Sequence, residues 1–185
     1  MFLVLRRGAV ETLERAAVLG GAAAVACVRS FEIDPEWRER PGKVCLRART
    51  AAQWEAVLEE PHALAGEVPG EAVAALPPRR RSERGPLLER LQAMSTDLGE
   101  PPAEPGGDGR TYALNPRLRM SSGKVVAQVA HAAVMAGWDG DAHLYAPAPE
   151  AFDALCARDD LAARVVDAGL TEVPPGTVTV LAFTR

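Results

Sequence analysis

Residues 117–134 read RLRMSSGKVVAQVAHAAV. Ser121 and Ser122 precede Gly123, after which the run turns rich in Ala and Val. A serine in that place signals a helix N-cap, because its hydroxyl accepts a hydrogen bond from a backbone N–H that the first turn leaves without a partner. Beyond the cap only Lys124, Gln128 and His131 are strongly polar. Their spacing lines them up on one narrow stripe of a helix. Small apolar residues surround the stripe, so the helix is expected to be largely buried. Each buried polar group then needs a partner, supplied by another part of the chain or by a substrate.

The rest of the sequence supports a folded chain. Its 185 residues suffice for one large domain or two small ones, and 48% are hydrophobic, which argues for a packed core and against global disorder. A formal net charge of -4 argues against a general nucleic-acid binder, which is usually basic, and leaves room for a local basic patch. Cys27, Cys45 and Cys156 form no C-x-x-C and have no histidine pair beside them. They read as free thiols in a reducing compartment, most simply as small buried hydrophobes. The opening MFLVLRRG is too short and too soon charged for a signal peptide. The apolar run 16–28 falls short of the roughly 18 to 20 residues of a membrane span. The expectation is a cytoplasmic protein with no membrane segment.

In chain order, residues 2–5 predict a buried strand. Residues 10–28 predict a helix that Gly20 and Gly21 weaken in its middle, and 30–42 a loop. Residues 43–49 alternate apolar and basic, as a half-buried strand does. Thr50 then caps a helix over AAQWEAVLEE that ends at Pro61. Residues 63–68 predict a strand with Pro69-Gly70 as its turn. Past Pro77-Pro78 comes a basic cluster of Arg79, Arg80, Arg81 and Arg84, then a short amphipathic helix over 87–94, then EPPAEPGGDG, which reads as a linker. The cluster suits phosphate contact or, at least as readily, a solvated charge run. Residues 110–115, 142–146, 163–166 and 177–183 predict strands, with helices over the opening stretch and from Pro149 to Leu155. That order is an α/β pattern: a four-stranded mixed sheet flanked by helices.

A weak repeat runs through the chain at one constant offset. Leu46 corresponds to Leu144, Ala48 to Ala146, Trp54 to Phe152, Glu55 to Asp153, Ala56 to Ala154, Val57 to Leu155 and Val68 to Val166. The expected organisation is a degenerate copy over 1–78, a basic and Pro-Gly-rich linker over 79–109 and the full unit over 110–185, an internal pseudo-dimer. The first copy lacks the polar stripe, and Pro69 stands where the second has Asp167.

Asp167 opens a second constellation, DAGLTEVPPGTVT. Gly169 permits a left-handed turn, and Pro174-Pro175-Gly176 sets a rigid turn into the last strand. Asp167, Thr171 and Thr179 place a carboxylate and two hydroxyls near strand ends, where α/β sheets tend to hold ligands. Alone, these groups would be read as satisfying turn backbone. Beside a Ser-Ser-Gly-Lys helix start, the functional reading is the stronger.

LRMSSGKVVAQVAHAA followed by DAGLTEVPPGTVT resembles the paired signatures of the type II peptidyl-tRNA hydrolases. The two motifs occur in the family's order, with a strand and a helix between them. A P-loop reading of SSGK fails, since Leu118 stands where a glycine is required and Val125 where Ser or Thr is required. The resemblance implies hydrolysis of the ester joining a peptide to tRNA, with peptidyl-tRNA as partner, no metal and no other cofactor. It implies Lys124, Asp167, Thr171 and Thr179 as catalytic residues; the substrate-binding candidates set beside them are Arg117 and Arg119, for contact with the tRNA backbone, with Ser122, Gly123, Gln128 and His131. Gln128 and His131 also have plain structural readings. Family members pair as homodimers, so a monomeric pseudo-dimer or a homodimer is expected. Arg117, Arg119 and Glu172 depart from the family's usual acidic residue, lysine and glutamine. The alternative function is a catalytically inactive relative that binds RNA or protein through the Arg79 to Arg84 cluster.

Overall fold

A computed structural model describes residues 1–39, 41–66, 72–95, 98–170 and 172–185. The first half supplies β1 (Phe2–Arg6), α1 (Leu13–Ser30), α2 (Pro35–Glu39), β2 (Val44–Ala48), α3 (Ala51–Glu59), β3 (Ala63–Ala65), β4 (Val73–Leu76), a 3-10 turn (Arg81–Glu83), α4 (Gly85–Arg90) and β5 (Gln92–Ala93). The second supplies β6 (Arg110–Leu114), α5 (Ser122–Ala136), β7 (His143–Tyr145), α6 (Pro149–Cys156), β8 (Ala163–Val166) and β9 (Val178–Thr184). The fold is α/β with two mixed sheets, ordered β3-β4-β1-β2-β5 and β7-β6-β9-β8. β1 runs parallel to β2 and antiparallel to β4, which pairs antiparallel with β3. β6 runs parallel to β7 and antiparallel to β9, which pairs antiparallel with β8.

The sheets face one another across α1 and α5. Alternation along each strand sends one set of side chains to each face. Leu3, Leu5, Cys45, Val73 and Ala75 meet Tyr112, Leu114, Val165, Val180 and Ala182 in one core with the two helices. The outer face of the first sheet buries Phe2, Val4, Leu46 and Leu76 under Trp54 and Val57 of α3 and Leu88 of α4. The outer face of the second buries Ala113, Tyr145, Leu181 and Phe183 under Phe152 of α6. α1 lies on β3 and β4 and reaches β7; α5 lies on β8 and β9 and reaches β2.

Several elements differ from the sequence expectation. α1 begins later than expected, capped by Thr12, whose side chain accepts from Arg15 N at 3.2 Å. α1 runs unbroken through Gly20. A Cβ there would stand 2.7 Å from Val126 Cγ1, so glycine lets α1 and α5 close together. The loop expected over 30–42 contains α2, with Pro35 as its first residue. β4 carries no alternation because all four of its residues are buried, which leaves a strand without a periodic signal. The stretch 79–109 is not all linker: α4 packs on the first sheet and β5 pairs with β2. Pro69, Gly70 and Val68, expected as a turn and strand end, lie outside the described residues. Cys27, Cys45 and Cys156 are free thiols, and burial pushes Cys27 up to about 11 and Cys45 to about 12. Among the described residues, no helix is long and apolar enough to cross a membrane.

Candidate active site

The site forms where the first turn of α5 meets the segment leaving β8. Ser121 is the N-cap: its Oγ accepts from Lys124 N at 3.2 Å. Capping here fixes the direction in which Lys124 leaves the helix. Opposite it, the chain beyond β8 stays tied to the strand before β9. Asp167 N donates to Thr177 O and Gly176 N to Asp167 O, both at 2.9 Å. Gly169 takes φ 76°, the left-handed turn expected of it, and its N–H donates to Asp167 Oδ1 at 2.8 Å. Asp167 is thereby held on the inner face of the sheet, toward α5.

The α5 stripe supplies the other partners. Lys124 Nζ and Gln128 Nε2 both donate to Asp167 Oδ2, each at 2.6 Å. Gln128 Oε1 accepts from Thr179 Oγ1 at 3.0 Å. The same hydroxyl lies 3.3 Å from Val165 O, but it has one proton and the shorter contact takes it. This fixes the amide of Gln128: a flip would turn an oxygen toward the carboxylate and NH2 toward Thr179. The chain Lys124–Asp167–Gln128–Thr179 thus joins helix start, strand exit and last strand in one network. The Lys124 side chain is 13% exposed against 5% for that of Asp167, while Gln128 and Thr179 are buried.

Burial pushes the Asp167 carboxyl up, but hydrogen bonds from Lys124, Gly169 and Gln128 and the Lys124 charge outweigh it and hold the group below the usual carboxylate range. Asp167 is therefore ionised at neutral pH. His131, one turn past Gln128, is pushed down to about 4 by burial first and by the charge of Lys43 second, against a smaller pull from Asp167. It is a neutral imidazole of low basicity.

The other expected site residues fall into different surroundings. Thr179 has no exposed surface and its proton is committed to Gln128, so it positions the amide and is out of reach of solvent. Ser122 is buried, and its Oγ accepts from Leu98 N at 3.0 Å. Gly123 lies so close to the first half that a Cβ would stand 2.1 Å from Met94 O. Both hold the second half to the first. Arg117 donates from Nη1 and Nη2 to the Asp153 carboxylate at 2.9 and 2.8 Å, while Arg119 is exposed. Arg79 pairs with Glu60 at 3.0 Å, and Arg84 lies over the Phe2 ring. Thr171 lies outside the described residues.

Sequence reasoning passed over what Glu172 does. Its carboxylate accepts from Ser121 N and Ser121 Oγ, both at 2.7 Å. An acid at a helix N-terminus is favourable, and this one occupies the entrance to α5. Its place in the DAGLTEV motif was the available signal. Among the described residues, no group of three or more His, Cys, Asp or Glu is arranged to hold a metal. Comparison with protein-family models, curated proteins and solved structures finds no match to this chain.

Proposed function

We propose that the chain hydrolyses the ester of peptidyl-tRNA at the Lys124–Asp167 pair. The observation that carries this reading is the 2.6 Å contact between a lysine at a helix start and a carboxylate leaving a strand, in the two motifs that resemble the hydrolase family. Water adds to the ester carbonyl carbon, and the carbonyl oxygen takes negative charge beside the Lys124 ammonium and the positive end of α5. The proton lost by the water passes to Asp167 Oδ1, which among the described residues accepts only the Gly169 N–H. Collapse breaks the carbon–ribose oxygen bond, and that oxygen takes the proton as the 3′-hydroxyl leaves. Gln128 and Thr179 hold Asp167 in register throughout.

The reading includes the pseudo-dimer. β2-β1-β4-β3 and β7-β6-β9-β8 share order and direction. Their helices are exchanged reciprocally, α1 reaching β7 and α5 reaching β2. The first half then stands where a second subunit would, and the chain is a monomer in the cytoplasm.

The test is release of peptide from peptidyl-tRNA by purified chain, beside simple esters. Lys124→Ala and Asp167→Asn should each lower the rate by about a hundredfold or more, with circular dichroism unchanged. Wild-type rates in both variants remove this mechanism. A second reading, an inactive RNA-binding relative, is favoured by Glu172 occupying the α5 entrance. RNA binding that weakens steeply with salt, with no deacylation by the wild type, selects it.

A further inference from the structure

Lys43 and Lys124 are the only lysines among 21 basic residues, and they stand at the two ends of the α5 polar stripe. Lys124 is bonded to Asp167. Lys43 lies one residue before β2, where that strand packs against α5, close enough to His131 for its charge to depress the imidazole. Lys43 Nζ is fully buried and has no hydrogen-bond partner among the described residues. The indole of Trp37 covers it, 4.8 Å from the ring centroid, and Trp37 Nε1 is held to Gly42 O at 3.0 Å. Lys43, Arg79 and Arg84 all act on the backbone nitrogen of Met1 as like charges, and Cys27 lies in the same neighbourhood. Burial pushes the Lys43 amine down to about 7.

A buried ammonium with no acceptor for its N–H donors is strongly unfavourable. Elsewhere the sequence uses arginine, which cannot shed its charge, whereas lysine can. The roof is a short element: α2 has five residues, and Pro35, Glu36 and Arg38 are exposed around Trp37, which packs against the core. We propose that Lys43, with Trp37 as a displaceable cover, forms a phosphate subsite where β2 meets α5, the helix that carries Lys124. A buried ammonium favours an oxyanion, and the several oxygens of a phosphate match its three N–H donors better than the two of a carboxylate. Seven residues separate Lys124 from His131, about 10 Å of helix. Assigning that phosphate to the tRNA end rests on the function proposed above; the subsite does not.

With two lysines, full-length chain labelled at the lysine side chains gives two resonances, and Lys43→Met assigns them. Inorganic phosphate, adenosine 5′-monophosphate and acetate are titrated at pH 6, and tryptophan emission is followed in parallel, with Trp37→Ala marking the share that Trp37 contributes among the three tryptophans. The expected result is a saturable shift of the Lys43 resonance with both phosphates, weaker with acetate. Lys43→Met should bind phosphate at least about tenfold more weakly, and Trp37→Ala at least as tightly as wild type. Tighter binding of the nucleotide than of inorganic phosphate supports a nucleotide end; equal binding supports the subsite with free phosphate as its ligand. A Lys43 resonance that stays still in wild type, or equal phosphate binding by Lys43→Met, overturns the proposal. The readout does not involve ester cleavage, so an inactive protein with a shifting Lys43 resonance sinks only the hydrolase reading.

Discussion

Glu172 and Thr179 show how single side chains set the state of the α5 entrance. Glu172 already supplies an anion to Ser121, so a substrate phosphate approaching that turn meets a like charge. Glu172→Gln keeps one acceptor for Ser121 and removes the charge. We expect phosphate or tRNA affinity to rise by about three- to tenfold, measured by titration at low salt, with the gain shrinking as salt screens the charge. An unchanged affinity would mean that nothing anionic approaches this turn. Thr179 acts from the other side. Thr179→Val keeps the shape but leaves Gln128 Oε1 buried without its donor, at a cost of about 1–3 kcal/mol. Chemical denaturation should show that loss. If Gln128 positions Asp167, the same variant should also lower kcat with KM unchanged, a split that lost stability alone does not produce.

At the scale of elements, the α1–α5 contact joins the halves, and its tightest points are glycines. Gly20→Ala gains helix propensity of about 1 kcal/mol but drives a methyl into Val126 Cγ1. Val126 is itself fully buried, so it has little room to retreat. We expect a net loss of about 1–3 kcal/mol, partly recovered in Gly20→Ala/Val126→Ala, where the new methyl fills space the valine leaves. Denaturation of the four proteins in that cycle tests it, and additive losses would show that the helices do not meet there. This contact also marks the limit of what was legible beforehand. The α5 cap, the stripe and the four strands of the second sheet follow from local pattern, because each carries its own periodicity or cap residue. The expected meeting of Lys124 and Asp167 is present in the geometry. β4 was not legible, since a strand buried on both faces has no alternation. β5 was not, since two residues carry no period. Gly20 read as a weak point because its partner, Val126, is far along the chain.

For the whole molecule, the buried titratable groups give one pH profile whose sign can be worked out. Asp167 is held below its ordinary range, so its stabilisation is present above the unfolded carboxylate range and is lost as pH falls through the folded value. His131, pushed down to about 4, is protonated only in the unfolded chain between that value and its ordinary 6.5. Stability therefore rises with pH across this window, by an amount on the order of 3 kcal/mol. Lys43, pushed down to about 7, extends the rise, because above that pH the unfolded chain holds a proton that the folded chain has released. Cys27 and Cys45 reverse it. Burial raises both thiols, so above the ordinary thiol value of 9.0 the unfolded chain loses protons that the folded chain keeps, and stability falls. The expected curve has its maximum near pH 9, with a gain of about 2 kcal/mol between pH 7 and 9. Lys43→Met should remove most of that gain, leaving the share of the Met1 amine, which burial pushes down to about 5, and should shrink the acid limb slightly, because His131 and Met1 lose a like charge that helps to hold them down. Urea denaturation of both proteins at pH 5, 7 and 9 decides it: parallel curves between pH 7 and 9 would mean that the amine is solvated and charged. Added phosphate sharpens the test, since an anion that binds the charged amine stabilises the fold below pH 7 and loses its effect as Lys43 deprotonates.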